Sequence, residues 1–355
     1  VSDQPLETAP RRTFATYLFY TIGLAVGIFI LVLLFGKRRE VTGAFHELNH
    51  LNYWSVLAAF LAEALSFVGY AYLQQVVLRM GGARLSLSSL TLVSLANIAI
   101  AYTIPGEPAV SSAYRYRFFR QRGASGAAAG WAILTILIAQ AIGMSLFLLL
   151  GVVVSLAGNT GAHDTALVIV GLVIVLAAGT LLVRRDLLLR FLHSLVRLAK
   201  RVTGHPRNDL GARIESTLAR MRDIPMSTGS TIGVVSIATA LWLVDFLCLV
   251  CCFGAVHAPI PWSGVLLAFG VSQIAASLPF IPGGIGVVEG SLAVILVAYG
   301  THKVPALAVV LIYRLLTFWL AILVGWASIG SIEWRLRTAK DRASAGEGAV
   351  LADGT

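Results

Sequence analysis

The sequence predicts an all-α polytopic integral membrane protein, with about six full transmembrane helices plus two re-entrant broken-helix hairpins in an inverted-topology repeat. Three observations carry this prediction. Hydrophobic residues make up 57% of the chain and charged residues only 12%, about half of the roughly 25% usual in soluble domains. Apolar runs long enough to cross a ~30 Å hydrocarbon core as helix recur along the chain. Two further apolar segments are interrupted by Pro-Gly clusters at matching positions.

The full spans read at about 15–35, 54–78, 125–157, 163–183, 229–254 and 303–332. Arg11 and Arg12, in a tail over 1–14, precede the first. Its apolar run exceeds the roughly 7–15 residues of a signal peptide and no small-x-small cleavage site follows, so an anchor helix is expected. The net charge of +10 collects in flanking segments, as the positive-inside rule requires, so no nucleic-acid partner is expected. The densest basic block, 184–226, is therefore assigned to the cytoplasm. There Leu188, Phe191, Leu192, Leu195, Leu198 and Val202 form a helical stripe, with Arg190, Arg197 and Arg201 on another face. That pattern fits an amphipathic helix at the inner surface or one packed on the bundle.

Threading outward from this block sets the topology. The span 229–254 exits, and 303–332 returns to a basic tail, so 263–300 starts and finishes outside. Its middle reads PFIPGGIGVVEG, 279–290, with Pro282, Gly283, Gly284 and Gly286 between two half-length apolar legs. Such a break is tolerated at membrane depth only where protein or a wet cavity covers the freed backbone. Threading backward, 85–123 starts and finishes inside, and its middle reads TIPGEP, with Pro105, Gly106 and Glu107. A shift of 177 places Pro105 and Gly106 on Pro282 and Gly283, and Gly123 on Gly300. Oppositely oriented broken segments in two halves point to a transport site. The halves run over 15–183 and 227–335, with a disordered tail over 336–355 and both termini cytoplasmic. Lys37, Arg38 and Arg39 then fall outside, against the charge rule.

Charges inside spans are costly, roughly 2.5–3.5 kcal/mol each on insertion scales, and mark candidate sites. Glu289 lies 11 residues before Gly300, and Arg314 lies 11 after Lys303. Across the antiparallel turn both stand about 16 Å deep, so an ion pair is expected, either a static lock or one that exchanges partners. The first half has Ser112 and Leu137 at the matching positions. It carries instead Arg115 and Arg117 on the inward leg, which either snorkel to the surface or form a cationic mouth. Glu63 and Asp245 are mid-span candidates for a proton site or a pairing partner. Asn97 and Gln273 precede the breaks and are expected to hydrogen-bond freed backbone groups. Cys248, Cys251 and Cys252 read as small hydrophobes, with no metal site implied. No catalytic constellation, phosphate-binding loop or cofactor motif is present, so neither enzyme activity nor a cofactor is expected.

The stretch LPFIPGGIGVVEGSLAVILVAYG, followed by ALAVVLIYRLLTF, resembles the flippase-like transmembrane domain of bacterial lysylphosphatidylglycerol synthase/flippase and of stand-alone YbhN-type membrane proteins. The family's P-G-G-x-G-x-x-E and downstream Arg fall on Pro282, Gly283, Gly284, Gly286, Glu289 and Arg314. Its first-half block is matched loosely, by Pro105, Gly106, Glu107 and Arg115. The resemblance covers roughly 15–335 and implies movement of a phospholipid, aminoacylated or not, or of a polyprenyl-linked lipid, between leaflets of the bacterial cytoplasmic membrane. Implied partners are anionic or aminoacylated headgroups, and a second copy or a lipid-modifying enzyme. The polar tail is short, so the aminoacyl-transfer half is not expected here. A non-transporting anchor for a lipid-modifying enzyme and a proton-coupled solute transporter are the alternatives.

Overall fold

The computed structural model describes residues 51–103, 107–157, 227–277 and 282–332, with Trp334. The spans expected at 15–35 and 163–183, the basic block 184–226, the Lys37–Arg39 cluster and the tail lie outside the described residues, as do Pro105 and Gly106.

Within them the chain is all helical. Four helices are long and apolar: α1 (Tyr53–Met80), α4 (Gly126–Ala157), α5 (Thr228–Ala255) and α8 (Lys303–Ile332). The shortest has 28 residues, about 42 Å at 1.5 Å per residue, ample for a ~30 Å core. Four are short: α2 (Leu87–Thr103), α3 (Glu107–Gln121), α6 (Trp262–Ala276) and α7 (Val287–Ala298). At 17 residues or fewer, each measures about 25 Å or less, shorter than the ~30 Å hydrocarbon core.

The order long, short, short, long therefore occurs twice. Helix starts repeat at offsets of 175 (53 to 228, 87 to 262) and 177 (126 to 303). The loops repeat too. Gly123 (φ 90°) and Gly300 (φ 97°) end equivalent helices, and Gly82 (φ 79°) corresponds to His257 (φ 54°). A non-glycine residue in that left-handed region is uncommon, so the loop's shape outweighs the strain of its side chain.

α1 and α5 form the most extensive helix pair and run antiparallel. The Asn52 N–H donates to the Ala255 carbonyl at 2.9 Å, and the Asn52 side chain caps α1 by accepting from the Trp54 and Ser55 N–H groups. Gly69 lets Leu241 close on α1 at mid-length. Small residues also bring the short helices against the long ones, with Gly151 of α4 under Leu266 and Gly325 of α8 against Ala99. This is how helices associate in lipid, where apolar surface alone gives no preference.

Two cores result. Leu73, Leu90, Phe119 and Trp131 centre one, around α1 to α4. Leu249, Phe253, Phe269 and Leu292 centre the other, around α5 to α8. Cys248 and Cys252 are buried in the second core as small apolar side chains, and no cluster of metal-binding residues occurs among the described residues. Outward-facing Leu57, Leu61 and Leu65 of α1, and Leu315 and Leu323 of α8, give the bundle an apolar exterior. Exposed Tyr53 and Trp54 at the start of α1 suit the membrane interface.

Candidate functional site beside the Pro282–Gly284 turn

α8 is not uniform. Its Leu315–Leu320 stretch is π-helical, beginning directly after Arg314. Such a widened turn displaces the side chains that follow it, and it recurs at functional sites. Here it turns Thr317 toward the interior and sets Phe318 beneath the α6–α7 break.

That break contains a tight turn, Pro282–Gly284, which leads through Ile285 and the N-cap Gly286 into α7. Gly283 and Gly284 hold φ of 61° and 63°, and Gly286 holds 82°. Glycine adopts these values freely and other residues do not. At Gly283 a Cβ would also collide with the Phe318 ring, and at Gly284 it would come within 2.9 Å of the Ala276 backbone.

Glu289 and Arg314 fasten this turn. Arg314 Nε donates to Glu289 Oε1 at 2.6 Å, so the pair expected from equal depth is formed. Glu289 Oε2 accepts from the Gly286 N–H at 2.5 Å, closing the first turn of α7, where the helix dipole favours a carboxylate. Arg314 Nη2 donates to the Gly283 carbonyl at 2.9 Å, satisfying a backbone group freed by the break. The guanidinium lies 4.2 Å from the centre of the Phe318 ring, which stacks on Tyr102 at 5.0 Å. One arginine thus joins α8, the turn and α7, and through Phe318 reaches α2.

A cavity of about 360 Å³ opens beside this bolt. Glu63 and Tyr70 of α1, Asn97 and Tyr102 of α2, Gln140 of α4, Asp245 and Trp242 of α5, Gln273 of α6, and Gly283, Tyr313, Arg314 and Thr317 line it. Seven of the eight helices or their connecting turns enter its wall through these and neighbouring residues, α3 excepted.

Asp245 is held from two sides. The Tyr313 hydroxyl donates to Oδ1 at 3.0 Å and Gln273 Nε2 donates to Oδ2 at 3.0 Å; the same amide lies 3.0 Å from the Tyr313 hydroxyl. Gln273 therefore serves a carboxylate and a phenol rather than the freed backbone for which the sequence nominated it. The Asn97 Oδ1 has no partner.

The first-half cations separate. Arg115 is buried, with Nη1 donating to the Tyr70 hydroxyl at 2.7 Å, whereas Arg117 is exposed. A joint cationic mouth is not what the side chains form: Arg115 braces a tyrosine of the cavity wall and Arg117 faces out. Of Glu107, only its place at the start of α3 is described.

The family model described as Lysylphosphatidylglycerol synthase TM region matches residues 20–325. The chain belongs to this family. With four long apolar helices among its described residues, this member of the lysylphosphatidylglycerol synthase TM region family is a multi-pass membrane protein. A UPF0104 membrane protein of Methanothermobacter thermautotrophicus is similar as well, 30% identical over 100 residues. That match takes in 28% of this chain and 30% of the relative, so the chain covers less than a third of the relative's length. The whole cavity wall falls inside the region matched by the family.

Sequence reading missed Tyr313, Tyr70, Tyr102, Gln140, Trp242 and Thr317. Tyr313 carried a usable signal, since it adjoins Arg314 and shares a helix face with Thr317, whose hydroxyl donates to the Tyr313 carbonyl at 3.0 Å. The others are ordinary residues of apolar spans until the helices are assembled.

Proposed function

We propose that this protein transports lipid, moving a phospholipid headgroup, aminoacylated or not, or a polyprenyl-linked headgroup from one leaflet to the other. The observation that carries this is the polar cavity at mid-length of the long helices, beside a helix break and walled by both halves. Polar groups at that depth are costly unless they serve a passage or pair with one another. Membership in a family named for the membrane region of a lipid synthase supports a lipid rather than a free solute.

In this reading α2–α3 and α6–α7 are re-entrant pairs of an inverted-topology repeat. The recurring helix order, the 175–177 offsets and the packing of α2 on the Pro282–Gly284 turn support it. The headgroup occupies the cavity while its tails stay in lipid. Its phosphate competes with Glu289 for Arg314, and the side chains of Tyr313, Gln273 and Tyr70 replace lost hydration. The chain acts as a carrier rather than an enzyme, with both termini cytoplasmic.

Reconstitution in vesicles containing labelled phospholipids in one leaflet tests this. Headgroup movement between leaflets is expected, and it should fall to the protein-free rate when Tyr313→Phe and Gln273→Leu are combined. Absence of movement for anionic, zwitterionic and aminoacylated lipids alike, with or without an ion gradient, would sink the proposal.

A further inference from the structure

The charges around the cavity do not balance. Glu63, Asp245 and Arg314 are its charged wall residues. Arg314 is matched by Glu289 at 2.6 Å. Two carboxylates remain, and no other cation lines the cavity among the described residues; Arg115 reaches its edge only through the Tyr70 hydroxyl.

The two carboxylates face one another. Glu63 is 10 residues from the start of α1 (63 − 53), and Asp245 is 10 from the end of α5 (255 − 245). Those ends meet at the Asn52–Ala255 hydrogen bond. In an antiparallel pair both groups therefore stand about 15 Å below the same end, and they repel one another.

A second observation concerns the acceptors around them. Glu63 is 6% exposed and its Oε2 has no hydrogen-bond partner. Asn97, 8% exposed, has an unpartnered Oδ1, and Gln140 of α4 has an unpartnered Oε1. All three side chains line the cavity, and all three orphan atoms are acceptors. Buried acceptors without donors are costly, and their convergence calls for a donor or a positive ion.

We propose that Glu63 and Asp245, with the amide oxygens of Asn97 and Gln140, bind one small monovalent cation, a proton or an alkali-metal ion. Two carboxylates and neutral amide oxygens form a hard donor set of low charge. No group of three or more potential metal-binding side chains occurs among the described residues, which disfavours a divalent ion. The titratable and charged groups that line the cavity with Glu63 are Tyr70 of α1, Tyr102 of α2, Asp245 of α5, and Tyr313 and Arg314 of α8, with Cys248 of α5 nearby; α4 contributes the neutral Gln140. Arg314 is already engaged, so a new positive charge is the remaining way to offset the pair. The same cavity then holds a coupling ion beside the headgroup, a consequence that rests on the lipid reading, whereas ion binding itself does not.

The full chain in lipid nanodiscs tests this without any transport step. Titration calorimetry with sodium chloride against choline chloride, at matched ionic strength and in two buffers of different protonation enthalpy, reads alkali-ion binding and any proton it displaces. Infrared spectra read the carbonyl stretch of a protonated carboxylic acid. A saturable sodium heat, an acid band, or both are expected, and each should be lost in Glu63→Gln and in Asp245→Asn. Heat alone assigns an alkali ion, the band alone a proton, and buffer-dependent heat an exchange between them. Neither signal in the wild type, or signals unchanged in both variants, overturns the proposal. Should Glu63→Gln not fold, Asp245→Asn and Asn97→Leu read the same site. Loss of ion binding leaves the lipid reading standing, and failed lipid movement with ion binding retained removes only the lipid reading.

Discussion

The two pairs of short helices occupy matching places in the chain, yet they are fastened differently. The α6–α7 turn is bolted by Glu289 and Arg314, with the Gly283 carbonyl and the Gly286 N–H drawn into the same knot. At positions 177 earlier stand Ser112 and Leu137, and Leu137 is 63% exposed where Arg314 is buried. The α2–α3 pair is braced through Arg115 to the Tyr70 hydroxyl. Tyr70 in turn corresponds, 175 residues earlier, to Asp245, which Tyr313 and Gln273 hold. The order of long and short helices recurs, whereas the polar contacts differ between the halves. A charge pair with backbone bonds holds the α6–α7 turn, whereas among the described residues α3 is tied to α1 and α2 by bonds to neutral hydroxyls, Arg115 to Tyr70 and Arg122 to Ser89.

Four substitutions break or sharpen this contrast, and thermal unfolding of the purified protein in detergent reads them all. Arg314→Leu should be the most damaging. It leaves Glu289 as a half-buried carboxylate without its cation and the Gly283 carbonyl without its donor, a loss of about 3 kcal/mol. Adding Glu289→Gln to it should recover part of that loss, because no unpaired charge then remains. Gly283→Ala should follow, at about 2–4 kcal/mol, from a positive φ together with the collision against Phe318. A Phe318→Leu background should relieve the collision but not the backbone strain.

Tyr70→Phe should cost less, about 1.5–3 kcal/mol, the worth of a hydrogen bond to a charged group. A loss equal to that of Arg314→Leu would show the two pairs of short helices to be held with equal strength. The smallest change should be a gain. His257→Gly places in the second half the residue that the first half has at Gly82, and should stabilise by up to about 1 kcal/mol by removing left-handed strain. A neutral or destabilising result would mean that the His257 side chain compensates its own strain.

The long helices were legible in the sequence to within two residues, as with 54–78 against Tyr53–Met80 and 229–254 against Thr228–Ala255. A membrane sets the length of an apolar run, so the run alone locates the helix. The Glu289–Arg314 pair was legible for a related reason. The turn at 300–303 fixes which helices adjoin, and counting from it gives equal depth. Glu63 and Asp245 obey the same arithmetic, but only once α1 and α5 are known to pair, and they lie 182 residues apart (245 − 63). The division of labour between Arg115 and Arg117 was not legible, since both sit on one short helix and only the packing against α1 decides which is buried.

The sequence by itself determined that the chain is helical and multi-pass, where its described long spans begin and end, and where Pro282 and its glycines interrupt one. These are local matters, governed by the length of apolar runs and by the backbone freedom of single residues. The tertiary structure alone decided that Asp245 would be held by Tyr313 and Gln273, that Gln140 and Asn97 would join Glu63 at one cavity, and that Arg115 would brace a tyrosine. In lipid, apolar faces do not choose their neighbours by hydrophobicity. The choice falls to shape, to the close approach that residues such as Gly69 and Gly325 permit, and that choice is written only in the assembled bundle.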